Sequence, residues 1–523
     1  MAHLLLVIPP MTITSTLKKS AKRNGMILGL LLGAGLFAAC DAQQSQDPVD
    51  EAIPAGKLDD YRSTLGYEYD VKATAKVTLA GDDAKLTGKA RLDRAKELAK
   101  KAVNDITKAL DSKLMEIWDK SDRKYESVTI MLRQDTFTFD DLAADSSDAN
   151  LYTFTYKGQA AAPTNLLTKL PLELIDAKRV LVVELGSGDD KTKINLSFSQ
   201  TAESPDAYPR YLELFKGGLD IAIQVGGDYN DARYDISEAK EIYTSLESLG
   251  LKSPVASFDD LKIDSAAFTG KLKVGEKQID IRVRLIHPDM APDTELDKLI
   301  NVYKALAKTS DVVYYVGHAG LDASYSGVVV HYNPRRAIKA TEFRNLDLPE
   351  KYQLFVFAGC ETYSHYADQL YAHPKKTTAN LDVVTTVNYT KLSRGAERVK
   401  SFIDGLIKKG STDDQWAPRT WGQLLKPMNA ATTKWLEIFG VHGLEDNPRL
   451  SPLALPGMIG DACVRPSDCP GADTRCVKLA DDRKVCGGGC ADNSACPTGF
   501  SCRNINTGWW PGPGKLKQCL PKI

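Results

Sequence analysis

The stretch "YEYDVKATAKVTL", residues 67 to 79, alternates polar and apolar side chains with the two-residue period of a half-buried strand, and the turn signal "AGDD" follows it. Behind that turn Ala95, Leu98, Ala99, Ala102, Ile106, Leu110, Leu114 and Ile117 recur at helical spacing, which predicts one long amphipathic helix. Further strand-like runs come next: "SVTIML", "LYTFTY", "RVLVVEL" and "KINLSFS". Between the last two lies "GSGDDKT". A phosphate-binding loop needs Gly where Asp190 stands before Lys191, and it needs a helix behind it, so this segment reads as a hairpin turn. Residues 61–205 therefore form an expected α+β domain with no chemistry of its own.

From residue 206 the pattern changes to alternating strands and helices, the grammar of a largely parallel sheet. "LDIAIQV" is a strand, followed by the loop "GGDYNDARYD" and the helix "SEAKEIYTSLESLG", closed by Gly250. "QIDIRVRLI" is a strand, and "TELDKLINVYKALAK" is a helix with Thr294 placed as its N-cap. "DVVYYVGHAG" and "YQLFVFAGC" end two further strands, "LDVVTTVN" is another, and "RGAERVKSFIDGLIKKG" is a helix. The runs "VVYYV" and "LFVF" are apolar at every position, as central strands buried on both faces are. In open α/β sheets, sites lie at the carboxyl ends of such strands. His318 and Cys360 each fall directly after one. If the two strands are neighbours, both side chains emerge on one rim. A thiol needs a base nearby to ionise and attack at neutral pH, and glycines around both residues let backbone N–H groups approach an oxyanion.

Composition narrows the setting. At 523 residues, with 67 Lys+Arg against 68 Asp+Glu and a net charge of −1, the chain has room for several cores and no strongly basic patch. Nucleic acid is not an expected partner. Lys18, Lys19, Lys22 and Arg23 precede the apolar stretch "MILGLLLGAGLFAA", which is short for a membrane span and ends at Cys40. "FAAC" resembles a bacterial lipobox, with Phe37 where Leu is usual. Residues 1–39 are then a lipoprotein signal peptide whose start is Met11, Cys40 carries the lipid, and residues 40–60 are a solvated tether. An uncleaved membrane anchor is the alternative.

Ten cysteines are present, and eight crowd into the end of the chain: Cys463, Cys469, Cys476, Cys486, Cys490, Cys496, Cys502 and Cys519. They divide into two similar quartets, with Pro after Cys469 and after Cys496, so residues 461–523 form a tandem repeat behind a linker at 446–460. So small a region with few large apolar side chains needs covalent staples. Zinc knuckles require C-x2-C pairs, which are lacking, so four disulfides are expected, paired within each quartet and with little regular secondary structure. Cys360 is left with neither lipid nor an expected partner. His287, His331, His365, His373 and His442 show no ligand spacing, so no metal and no cofactor is expected.

The strings "YYVGHAG" and "FVFAGCET" resemble the two signatures of the caspase-like (clan CD) cysteine peptidases, and the wording is similar to that of the CHAT branch, whose nucleophile sits in an apolar-Ala-Cys-Glu-Thr string. The resemblance covers residues 206–445. It implies a caspase-like, mainly parallel sheet flanked by helices, with Cys360 as nucleophile and His318 as general base. It also implies an oxyanion hole made by the N–H groups of Cys360 and Ala319, and a protein or peptide substrate. The family has Gly where Ala319 stands; the donor survives, but a methyl group occupies the approach path. Asp231 and Arg233 fall in the loop where relatives bind substrate. The function so implied is that of an exported cysteine peptidase, lipid-anchored in the bacterial cell envelope and facing the periplasm or the surface. The alternative is a non-catalytic surface lipoprotein, in which the fold is a scaffold and the Cys-rich module binds an extracellular partner.

Overall fold

The computed structural model describes residues 59–120, 130–163, 165–186, 191–275, 277–319, 327–407, 416–432 and 435–449. In the C-terminal part it describes 451–452, 459–460, 463, 469, 474–479, 483–505 and 516–522. The expected signal peptide, Cys40 and most of the expected tether lie outside the described residues.

The chain enters with β1 (Tyr61–Ser63) and runs almost directly into β2 (Gly66–Thr78). Helix α1 (Gly88–Lys120) follows, then β3 (Met131–Ala144), β4 (Leu151–Pro163), the short α2 (Leu166–Lys169), β5 (Glu173–Ile175), β6 (Lys178–Leu185) and β7 (Thr192–Gln200). Strands β3-β4-β2-β7-β6-β5 form a six-stranded antiparallel sheet. The expected helical stripe packs, with Val103 added to it: Ala99, Ile106, Leu110 and Leu114 of α1, and Val103 between them, share a core with Val71, Phe154, Tyr156 and Leu196. The strands that flank the expected hairpin turn pair antiparallel, Leu185 of β6 with Thr192 of β7, and residues 187–190 of the turn lie outside the described residues.

A turn of helix, α3 (Tyr211–Leu214), leads to β8 (Leu219–Val225) and α4 (Tyr234–Ser248), which ends before Gly250 at φ 82°. Next come β9 (Phe268–Val274), β10 (Lys277–Ile286), α5 (Asp297–Thr309), β11 (Val312–Val316) and the hairpin of β12 (Gly327–His331) with β13 (Arg336–Lys339). After these are β14 (Gln353–Ala358), α6 (Tyr366–Tyr371), β15 (Leu381–Thr386), α7 (Gly395–Leu406), α8 (Trp421–Met428), the hairpin of β16 (Ala430–Thr432) with β17 (Trp435–Glu437), and β18 (Phe439–His442).

The second sheet has eight strands in the order β1-β18-β15-β14-β11-β8-β10-β9. Strands β15, β14, β11, β8 and β10 are parallel; β9, β18 and β1 are antiparallel additions at the edges. Every residue of β11, β14 and β15 is buried. Alternate side chains explain why. Val312, Tyr314 and Val316 pack with α4, α7 and α8 on one face, while Val313 and Tyr315 pack with α5 and α6 on the other. The protein is therefore mixed α/β, with a mainly parallel sheet covered by helices on both faces. One expected detail fails: Thr294 does not cap a helix. Residues 293–295 make a 3-10 turn, and α5 starts at Asp297, whose carboxylate sits in the first turn.

The C-terminal quartets pair first with third and second with fourth. Cys463 joins Cys476, Cys469 joins Cys486, Cys490 joins Cys502, and Cys496 joins Cys519. The expectation of little regular structure is corrected. Strands β19 (Arg475–Lys478), β20 (Lys484–Gly489), β21 (Phe500–Ile505) and β22 (Leu516–Pro521) form a four-stranded sheet. Cross-strand pairs such as Cys476 opposite Cys486 place sulfurs where a larger domain places apolar side chains. No helix among the described residues is long and apolar enough to cross a membrane.

Candidate active site

Three parallel strands, β8, β11 and β14, end together. Val316 is paired with Val225 on one side and Ala358 on the other, so the residues after each strand share one rim. The crossing is tight enough to demand glycine. A Cβ on Gly317, whose φ is 155°, would lie 2.7 Å from the Cα of Gly226. Continuing the register brings Asp228, His318 and Cys360 to this rim from three neighbouring strands.

His318 is nearly buried, at 5% exposure. Its Nε2 lies 3.1 Å from Oδ1 of Asp228, and Tyr229 and Tyr332 cover its ring with centroids at 5.1 and 5.3 Å. Its backbone is fixed as well, because Tyr315 Oη donates to the His318 carbonyl. Burial pushes the Asp228 carboxyl up, but hydrogen bonds from His318 and Asn230 outweigh it and hold the group below the usual carboxylate range. A carboxylate so held accepts from Nε2–H, which leaves Nδ1 as the ring nitrogen that carries the lone pair.

Cys360 is also buried, at 4% exposure, with Sγ 3.9 Å from Thr390 Oγ1. The turn that carries it is bolted to the end of β15. Thr386 Oγ1 donates to the Gly359 carbonyl, Thr386 N donates to Thr362 Oγ1 at 2.9 Å, and Glu361 N donates to the Asn388 carbonyl at 3.1 Å. Glu361 has left-handed backbone, φ 56° and ψ 29°, a strained conformation for a residue with a side chain. Burial, with Asp111 of α1 adding to it, pushes the Glu361 carboxyl up to about 8. The α1 helix reaches this side of the rim a second time through Trp118, whose ring lies 5.7 Å from that of Tyr389.

The expectation that Cys360 lacks a partner is corrected. Cys360 is disulfide-bonded, and the eight C-terminal cysteines pair among themselves, so its partner lies outside the described residues. The nucleophile that the sequence points to exists only after that bond is reduced.

The other sequence candidates fall as follows. Ala319 is buried, and a Cβ on Gly359 would come within 2.9 Å of its methyl, so the methyl packs against the Cys360 turn. Asp231 is exposed, and with Arg233 it lines a cleft of about 200 Å³ together with Asp228, Tyr229 and Tyr332, which also face the His318 ring. Arg233 has φ 48° and is ion-paired with Asp235 and Asp289, so its charge is committed within the protein. Asp228 escaped sequence reasoning. The signal was present, because it comes three residues after β8 where His318 comes two after β11, but naming it required knowing that these strands are neighbours.

Comparison of this chain with protein-family models, with curated proteins and with solved structures finds no match.

Proposed function

We propose that this protein is an exported cysteine peptidase with a caspase-like α/β domain, active when Cys360 is reduced. The observation that carries the reading is the rim itself: the candidate base and nucleophile follow adjacent, fully buried parallel strands, and a third strand brings a carboxylate onto the base. In the proposed reaction, His318 takes the Cys360 thiol proton at Nδ1, and the thiolate attacks the peptide carbonyl. Asp228 orients the ring and stabilises the imidazolium. The N–H groups of Cys360 and Ala319 face the developing oxyanion. The imidazolium then protonates the leaving amine. Water, deprotonated by the same ring, releases the acyl group and restores the thiol. Disulfides among the described residues fit an oxidising, exported setting. The finer localisation, a lipid anchor at Cys40 in a bacterial envelope, rests on the lipobox resemblance alone, and it applies only to protein in which the Cys40 sulfur is in no disulfide.

A second reading, a non-catalytic scaffold whose Cys-rich module binds a partner, is favoured by one observation: Cys360 is oxidised and buried. The test is labelling with a peptide-based thiol-reactive inhibitor after mild reduction, with the modified residue located by mass mapping. Label on Cys360 that disappears in His318→Ala supports the peptidase. No label on Cys360 and no hydrolysis across a broad peptide panel leaves the scaffold.

A further inference from the structure

The residues that follow Cys360 are held from outside their own sheet. Arg133, on β3 of the six-stranded sheet, is fully buried and forks onto Asp368 of α6, Nε to Oδ2 at 2.8 Å and Nη2 to Oδ1 at 2.7 Å. Its Nη1 lies 2.6 Å from Asp59 and 3.6 Å from Glu68. Two residues along β3, Asp135 accepts from His365 Nδ1 at 3.1 Å and Gln369 Nε2 at 3.0 Å. Glu68 of β2 accepts from Tyr363 Oη at 2.6 Å. His442 of β18 closes the group, with Nδ1 2.9 Å from Asp59 and its ring stacked on that of Tyr363.

These bonds land on positions 363, 365, 368 and 369, the stretch that leaves the Cys360 turn. None of them takes part in the proposed hydrolysis. Burying a guanidinium is costly, and the cost is offset only when carboxylates meet it with good geometry, as the bidentate fork does. Burial pushes the Glu68 carboxyl up to about 8 despite Arg133 and pushes Asp368 up as well, whereas Arg133 and His442 outweigh the burial of Asp59 and hold it low, so Asp59 is the most firmly ionised of the three partners. The Cys360 turn is thus fastened on one side to the end of β15 and on the other to a separate sheet.

We propose that Arg133 is a positioning residue for Cys360: by fixing Asp368, with Asp135 fixing His365 and Gln369, it sets the path of residues 361–369 and so the placement of the thiol against His318. The catalytic half of this statement rests on the peptidase reading. The six-stranded sheet is then a strut of the site rather than an independent module.

Two measurements on the full-length protein test it. Hydrogen exchange over residues 361–372 should rise by about tenfold or more in Arg133→Met, with no comparable rise over β9 and β10. In reduced protein, iodoacetamide alkylation of Cys360, followed against pH by peptide mass mapping, should give a midpoint below the ordinary thiol value of about 8.5. That midpoint should move up in His318→Ala and also in Arg133→Met, with Arg133→Lys, which keeps the charge and loses the fork, in between. If Arg133→Met does not fold, Asp135→Asn carries the same comparison with less buried charge disturbed. Unchanged exchange at 361–372 overturns the proposal. So does an alkylation midpoint that moves in His318→Ala but not in the Arg133 or Asp135 variants. A midpoint indifferent to His318→Ala refutes the peptidase reading instead, and exchange alone then decides whether Arg133 holds the segment.

Discussion

The two large sheets are joined by one uninterrupted run of chain, since β1 lies in the eight-stranded sheet and β2 in the six-stranded one, yet they treat their strand ends in opposite ways. In the parallel sheet, five strands discharge their carboxyl ends at the same rim, and side chains from distant sequence positions collect there. In the antiparallel sheet the ends alternate, so no edge gathers them. Its chemistry-bearing groups lie instead on a face: Arg133, at 0% exposure, reaches across to Asp368, with the buried Gln159 accepting from its guanidinium. The difference teaches where to look. A parallel sheet concentrates groups that can react, whereas an antiparallel sheet of this kind can stiffen what its neighbour concentrates.

The strongest way to break this comparison is to remove a rim residue. Cys360→Ala and His318→Ala are each expected to lower hydrolysis by about 10³-fold or more, about 4 kcal/mol of transition-state stabilisation, and the double variant should be little worse than either. Activity that survives His318→Ala would show that the rim does not act as a unit.

The strut comes next. Arg133→Met leaves the buried Asp368 and Asp59 without its guanidinium, so a loss of about 3–5 kcal/mol is expected in denaturant unfolding. Adding Asp368→Leu to that variant should recover part of it, because the buried carboxylate is removed too. A double variant that is worse by the sum of both single losses would mean that the two side chains do not interact.

Smaller, and opposite in sign for its two parts, is the pH response of the buried carboxyls. Glu361, which burial pushes up to about 8 in the folded protein from its ordinary 4.5, binds a proton in the folded state that the unfolded chain gives up. Its contribution is complete below about 4.5 and is lost as pH rises through about 8. Asp59 works the other way: burial pushes it up, but Arg133 and His442 hold it well below 3.8, so its contribution is lost as pH falls. Thermal melts of Glu361→Gln should therefore fall less steeply than the parent between pH 5 and 8, an interval set by the shift of Glu361. An identical slope would show that Glu361 does not titrate as its burial requires.

The smallest expected effect belongs to Ala319→Gly. Losing a buried methyl against Gly359 and adding backbone freedom should cost about 1 kcal/mol of stability. Hydrolysis should be maintained or faster, because the approach to the Ala319 N–H opens. A large loss of rate would mean that the methyl helps to hold the Cys360 turn.

Much of this was legible along the chain. Runs that are apolar at every position mark strands covered on both faces, and an abrupt change to small residues marks their ends, so His318 and Cys360 stood out with no structure in view. The α1 stripe and the division into quartets were legible for the same reason, since periodicity is a local property. What escaped is everything that depends on which distant elements meet. Asp228 outranks Asp231 because β8 is the neighbour of β11, and Arg233 is spent on Asp235 and Asp289 before it can meet a ligand. The first-to-third, second-to-fourth cysteine pairing required the four short strands to be placed. Arg133 lies 235 residues from Asp368, and no local pattern distinguishes a charge that will be solvated from one that will be buried. Local sequence sets the period, and hence the elements and their ends. Burial and pairing are decided by the whole fold, because a charge is desolvated, a thiol oxidised or a carboxyl protonated only by what the finished tertiary structure packs against it.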